Sequence, residues 1–144
     1  MDMTDDVNTI KTLLGRMEGD DLEFKRDQYP LRSGNQKSEF IKDVICMANT
    51  PRTGAGYIVI GVATKNGRPN EVKGATDHPD PAELQRIVEG RVAPVPRFSY
   101  RVVSYEGKDI GLLEIPGDRN VPAIPKNDYG VLRRLRSHYP QLEP

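Results

Sequence analysis

The chain has one cysteine, two histidines, no net charge and no long apolar run. A single thiol, Cys46, excludes an intrachain disulfide and any zinc site built from cysteines; its place among helical apolar residues predicts a buried, reduced side chain. His78 and His138 have no Cys or His partner at metal-ligand spacing, and their surroundings read as solvated loop and tail. No stretch approaches the roughly 18 apolar residues that span a bilayer, and the acidic start Asp2, Asp5, Asp6 is the opposite of a signal peptide, so the expected location is cytoplasmic. Formal neutrality removes the overall basic excess of a generic nucleic-acid binder. Gly-Lys-Ser and Gly-Lys-Thr are missing too, which excludes a Walker-type nucleotide loop. Repeats, heptads and low-complexity tracts are absent.

What is present describes a globular domain. At 144 residues, 36% hydrophobic and 29% charged, the chain is long enough for one core burying about two-thirds of its unfolded surface. The stretch 48–62 organises the rest. Phe40, Ile41, Val44, Ile45 and Ala48 recur at helical spacing, a polar turn with Gly54 and Gly56 follows, and Tyr57 to Val62 forms an unbroken apolar run suited to a central strand. Leu22-Glu23-Phe24-Lys25 alternates as a shorter strand of the same sheet, with Glu23 and Lys25 on one face.

Further elements follow from local chemistry. Val7 to Leu14 predicts a first helix with Asp5 or Asp6 as cap. Ser33 with Gln36, or Asn35, caps the second. Asn66-Gly67 favours a type I′ turn with Glu71 to Gly74 returning. Asp80-Pro81 with Glu83 starts a third helix that runs to about Arg91. Phe98 to Val103 and Ile110 to Ile115 form a hairpin across the four-residue region Glu106 to Asp109. Val121 to Pro125 cannot be a central strand, because proline lacks the donor amide. The expected fold is α+β, a mixed, mostly antiparallel sheet with about three helices covering one side.

Glu18, the triplet Glu23-Phe24-Lys25, Ala48-Asn49-Thr50 and the run Gly56 to Val62 occur together, in order and at familiar distances. In this the chain resembles the Schlafen AlbA-type domain, a family often labelled DNA-binding. The resemblance covers about residues 10–125 of a single 1–144 domain, with a basic segment at 126–144. The family usually continues into a further strand with an arginine and a glycine near its end. Here Val131 to Arg136 closes the chain, as in a shortened or minimal member.

The resemblance implies a nucleic-acid-binding domain that contacts the phosphate backbone of RNA or DNA. It also implies an alternative, a divalent-metal-dependent endoribonuclease acting on tRNA-like RNA. In that case Glu18 and Glu23 would be ligands for Mg²⁺ or Mn²⁺ and catalytic groups, with Lys25 as electrostatic helper. Hard oxygen ligands close together suit such ions. The family's third acidic position matches Ala63 or Thr64, a departure that weakens catalysis; Asp43 and Asp77 are the available substitutes, and neither fits the pattern. Glu23-Phe24-Lys25 also matches half of a second nuclease signature, a weak signal because such tripeptides are common.

Gly54 to Gly56 reads as a tight turn more readily than as a phosphate cradle, with Arg52 and Thr53 beside it as candidate nucleic-acid contacts. Arg97, Arg101, Arg133, Arg134 and Arg136, interspersed with Tyr57, Tyr100, Tyr105, Tyr129 and Tyr139, are candidates for a basic surface with stacking rings. An inactive interaction module that pairs with a second copy of itself is a third expectation, prompted by the missing aspartate and the neutral charge.

Overall fold

A computed structural model describes residues 3–52, 54–117 and 122–126. Helix α1, Met3–Leu13, begins earlier than the periodicity predicts. Asp5 and Asp6 therefore lie in its first turn, where they face the positive end of the helix dipole, instead of capping it. Strand β1, Leu22–Lys25, alternates as expected. Helix α2, Gly34–Asn49, opens with a reciprocal capping box: the Gln36 amide donates to Ser33 Oγ at 3.2 Å and the Ser33 amide to Gln36 Oε1 at 3.0 Å. Its buried residues include Phe40, Ile41, Val44, Ile45 and Ala48.

The run read as one strand is two. Strand β2, Gly56–Ile60, ends at Gly61, whose φ of 110° turns the chain into β3, Val62–Lys65. Asn66 and Gly67, with φ of 55° and 77°, make the expected turn into β4. That strand covers Arg68–Val72, earlier than Glu71 to Gly74, because a two-residue turn brings Arg68 directly opposite Lys65. Helix α3, Pro81–Arg91, starts where Asp80 Oδ1 accepts from the Ala82 amide at 2.9 Å. The short β5, Val92–Ala93, pairs with β8, Ile124–Pro125, away from the main sheet, as proline in that segment requires. Strands β6, Ser99–Tyr105, and β7, Lys108–Ile115, meet through the two-residue turn Glu106-Gly107. The predicted turn region is shorter because both residues take positive φ, 49° and 78°, and let Tyr105 pair with Lys108.

The main sheet has the order β1-β2-β7-β6, parallel between β1 and β2 and antiparallel elsewhere. This is the mixed, mostly antiparallel α+β architecture, with one correction: the helices do not share a face. Ile58, Ile60, Leu113 and Ile115 pack with α2 and α3. Leu22, Phe24, Val59, Leu112 and Val103 pack with Ile10 and Leu13 of α1. The physical reason is the continuous burial of Ile58, Val59 and Ile60; a strand apolar on both sides needs cover on both.

Gly61 joins these parts. Its amide donates to the Lys25 carbonyl at 2.7 Å, and its carbonyl accepts from the amides of Lys73 and Gly74 at 2.8 and 2.9 Å. A Cβ there would lie 2.9 Å from the Gly74 carbonyl carbon, on a backbone conformation that L-residues avoid. Gly61→Ala is therefore expected to destabilise the domain by about 2 kcal/mol or more in urea unfolding. Gly54→Ala, in open space, should change stability by under about 0.5 kcal/mol.

Candidate functional site

Because Leu22 and Phe24 of β1 turn toward α1, Glu23 and Lys25 must turn toward α2. Helix α2 answers with Lys42, Asp43 and Cys46. Between them, with Glu18 and Asp20 from the loop entering β1, lies a cleft of about 300 Å³. Glu18 is fixed at its rim, where Oε2 accepts from the Phe24 amide at 3.3 Å. The five-residue separation thus brings Glu18 and Glu23 to one cleft, as expected.

Asp43 anchors the interior. It is 5% exposed, and three groups satisfy it: the Tyr29 hydroxyl donates to Oδ2 at 2.6 Å, Lys25 Nζ lies 3.2 Å from Oδ2, and Lys42 Nζ lies 2.9 Å from Oδ1. Lys25 also sits 4.9 Å from the centroid of the Tyr29 ring, in cation–π range, and 4.0 Å from Glu23 Oε1.

These neighbours tune the titrating groups. Burial, then the Asp43 carboxylate, push the Glu23 carboxyl above its ordinary value, against the opposing pull of Lys25 and Lys42. Burial and Asp43 hold the Tyr29 phenol well above its usual range. Cys46 is half-buried rather than fully buried, and desolvation pushes its thiol up to about 11, which leaves it a protonated, poor nucleophile. The cleft thus offers a carboxyl with raised proton affinity beside a held ammonium, a pairing suited to proton exchange and to neutralising phosphate charge.

A divalent ion does not fit this donor set as it stands. Among the described residues, no three His, Cys, Asp or Glu side chains are arranged to hold a metal. Asp43, the carboxylate that faces Glu23, is already occupied by two ammonium groups and a phenol. Ala63 and Thr64, the family's third acidic position, lie beside Phe24 in a different cleft, because alternation puts Phe24 on the face opposite Glu23. Asp77 lines yet another cleft. Asp43, which the sequence pattern set aside, is the residue that the fold brings to Glu23.

The candidate nucleic-acid contacts are dispersed. Arg52 is used inside the fold: Nη1 donates to the carbonyls of Met47 and Thr50, and Nη2 to that of Ile115 at 2.8 Å, tying the end of α2 to the end of β7. A Cβ on Gly56 would come within 2.9 Å of Met47 and Arg52, so this glycine serves close packing, and it lacks the positive φ expected of a tight turn. Arg101 is held between Asp6 and Glu114 at 3.0 and 2.8 Å. Arg97 lies exposed in the loop before β6. Thr53, Arg133, Arg134, Arg136, Tyr129, Tyr139 and His138 fall outside the described residues. His78 is half-buried and tied into the fold rather than left to solvent alone: Nε2 donates to the Ala75 carbonyl at 2.9 Å, and Nδ1 accepts from the Tyr100 hydroxyl at 2.7 Å, the tautomer that gives both contacts a proton.

Sequence reasoning missed Tyr29 and Lys42. A signal for Asp43 existed: it recurs with Phe40 and Met47 at i, i+3, i+7, so a charged residue occupies a buried helical stripe.

Fold and site together define an α+β domain with an acidic cleft, set with lysines, between an edge strand and its crossover helix. The chain belongs to the Schlafen AlbA_2 family, whose profile matches residues 18–142. Its fold is similar to the N-terminal domain of a Nitrosomonas europaea protein named for its relation to the ATP-dependent DNA helicase RecG, at 19% identity and a TM-score of 0.56, over 85% of this chain and 80% of that one. It is also similar to part of a Corynebacterium diphtheriae protein, at 18% identity and a TM-score of 0.52; there the alignment covers 83% of this chain and 23% of the other. No curated protein matches significantly.

Two expectations test the cleft. Asp43→Ala should lower stability by about 2–3 kcal/mol in thermal or urea unfolding, because it strands a buried phenol and two ammonium groups. For Glu23 the folded proton affinity exceeds the unfolded one, so its carboxyl favours folding below about pH 4.3 and loses that contribution as pH rises through its folded value. Glu23→Gln should therefore be more stable than the parent at pH 7, with the difference closing toward pH 4.

Proposed function

We propose that this domain binds nucleic acid through the sugar–phosphate backbone. Its membership of the Schlafen AlbA_2 family carries the reading, and the helicase-related name of a structural neighbour supports it. Of the arginines singled out in the sequence, Arg97 and the terminal group Arg133, Arg134 and Arg136 remain proposed phosphate contacts. Arg52 and Arg101 are held inside the fold, whereas Arg97 is kept because its side chain is exposed.

The second reading is metal-dependent cleavage of RNA, with Glu18 and Glu23 as ligands for Mg²⁺ or Mn²⁺ and Lys25 beside them. It is favoured by one observation, the cleft that Glu18, Glu23 and Asp43 share. It requires Asp43 to release its present partners, which is why binding ranks first.

One gel separates the two. Labelled tRNA and single-stranded DNA, incubated with Mn²⁺ or with EDTA, should be retarded but not cut, and retardation should weaken steeply with salt, by about 0.7 log units per phosphate contact per tenfold salt on single strands. Salt-indifferent retention would contradict backbone binding. Cleavage that EDTA stops and Glu23→Gln abolishes would put the second reading first.

A further inference from the structure

We infer that the end of the sheet where β1 stops carries a separate phosphodiester-binding trench, formed by Arg26, Lys73 and Lys108. The inference rests on the nucleic-acid-binding reading above and gives it a location. Two clefts open at this end. One, of about 410 Å³, lies between Arg26, Gln28, the segment from Lys73 to Asp77, and Lys108. The other, of about 300 Å³, lies between Phe24, Arg26, Val62, Thr64 and Lys73. Arg26 and Lys73 line both, so the same two cations face a trench of two adjacent clefts at the end of β1.

The charges here differ from those of the Glu23 cleft and from the two arginines built into the fold. Lys25 and Lys42 are held by Asp43, Arg101 by Asp6 and Glu114, and Arg52 by carbonyls. Among the described residues, Arg26, Lys73 and Lys108 have neither an ion pair within 4.0 Å nor a side-chain hydrogen bond. A phosphate would therefore meet cations that need give up only water.

The trench is also built before any ligand arrives. The Lys73 and Gly74 amides bond to the Gly61 carbonyl, the Gly61 amide to the Lys25 carbonyl, and the Ala75 amide to the Asp109 carbonyl at 2.8 Å. Gly74, at φ 76°, lets its backbone approach Lys108 so closely that a Cβ would sit 3.2 Å from the lysine's own Cβ. The three cations stand on one hydrogen-bonded frame, which lowers the ordering cost of binding. No exposed ring lines the trench, since Phe24 is 6% exposed, so contact is with backbone rather than stacked bases. Asp27, Asp77, Asp109 and Glu71 line it as well, four carboxylates beside the three cations. They keep it from being a bare basic patch, and they can accept hydrogen bonds from ribose 2′-hydroxyls.

The test is fluorescence anisotropy with a labelled single-stranded RNA and a DNA of the same sequence, at several salt concentrations. Arg26→Glu with Lys73→Glu should weaken binding at least about tenfold and lower the log–log salt slope by about 1 to 1.5. Arg32→Glu with Arg86→Glu makes the same charge change at exposed sites away from the trench and should stay within about twofold of the parent. The corresponding glutamine pair at Arg26 and Lys73 should give a smaller loss in the same direction, with an unchanged melting curve. A larger loss on RNA than on DNA, or an equal loss on both, supports the trench and says whether the ribose hydroxyl contributes. A trench variant that binds as tightly as the Arg32/Arg86 control overturns the trench alone. A parent protein that binds neither strand overturns it together with the reading it rests on.

Discussion

Parallel pairing of β1 with β2, with Leu22 opposite Tyr57 and Lys25 opposite Ile60, is the constraint on which the rest depends. Parallel neighbours cannot be joined by a tight turn, so the chain must cross the sheet, and α2 is that crossing. Once α2 is laid over the sheet, its Phe40, Ile41 and Val44 close one core layer. The opposite face, still apolar through Val59 and Leu112, is closed by α1. The candidate cleft is the seam this crossing leaves along the edge strand.

Electrostatics in that seam follow from the same geometry. An aspartate on the buried side of a helix would be costly alone. Here it is offset by a phenol and two ammonium groups from three different segments, and its charge in turn raises the proton affinity of Glu23 and Tyr29. The arrangement compensates Asp43 fully and leaves Glu18 and Glu23 facing the opening. That asymmetry distinguishes a cleft able to exchange protons from one ready to grip a metal ion.

The fold was legible where one local rule acts alone. The bounds of β1, the capping box at Ser33 and Gln36, the start of α3 at Asp80-Pro81 and the Asn66-Gly67 turn all follow from chemistry within a few residues. It was less legible where distant groups compete. Tyr57 to Val62 looks like one strand because Gly61 carries no sign of the Lys25, Lys73 and Gly74 backbone that it joins. The three helices look alike in pattern, so nothing in their own periodicity says that α1 takes the other face. That Glu18 and Glu23 line one cleft was recoverable from their spacing, and that Glu23 and Lys25 share a face from alternation. Arg52 and Arg101 carry the same charge as phosphate-binding arginines and differ only in the acceptors that the fold sets before them.

The sequence by itself determined the class of elements, their order, the alternation that sends Glu23 and Lys25 to one side of β1, and the family to which the chain belongs. These depend on periods and caps that a stretch of chain carries wherever it goes. Only the tertiary structure decided that Asp43 meets Glu23 while Ala63 does not, and which cations keep no partner. Those outcomes depend on distances between segments far apart in the chain, set by the packing of both sheet faces at once.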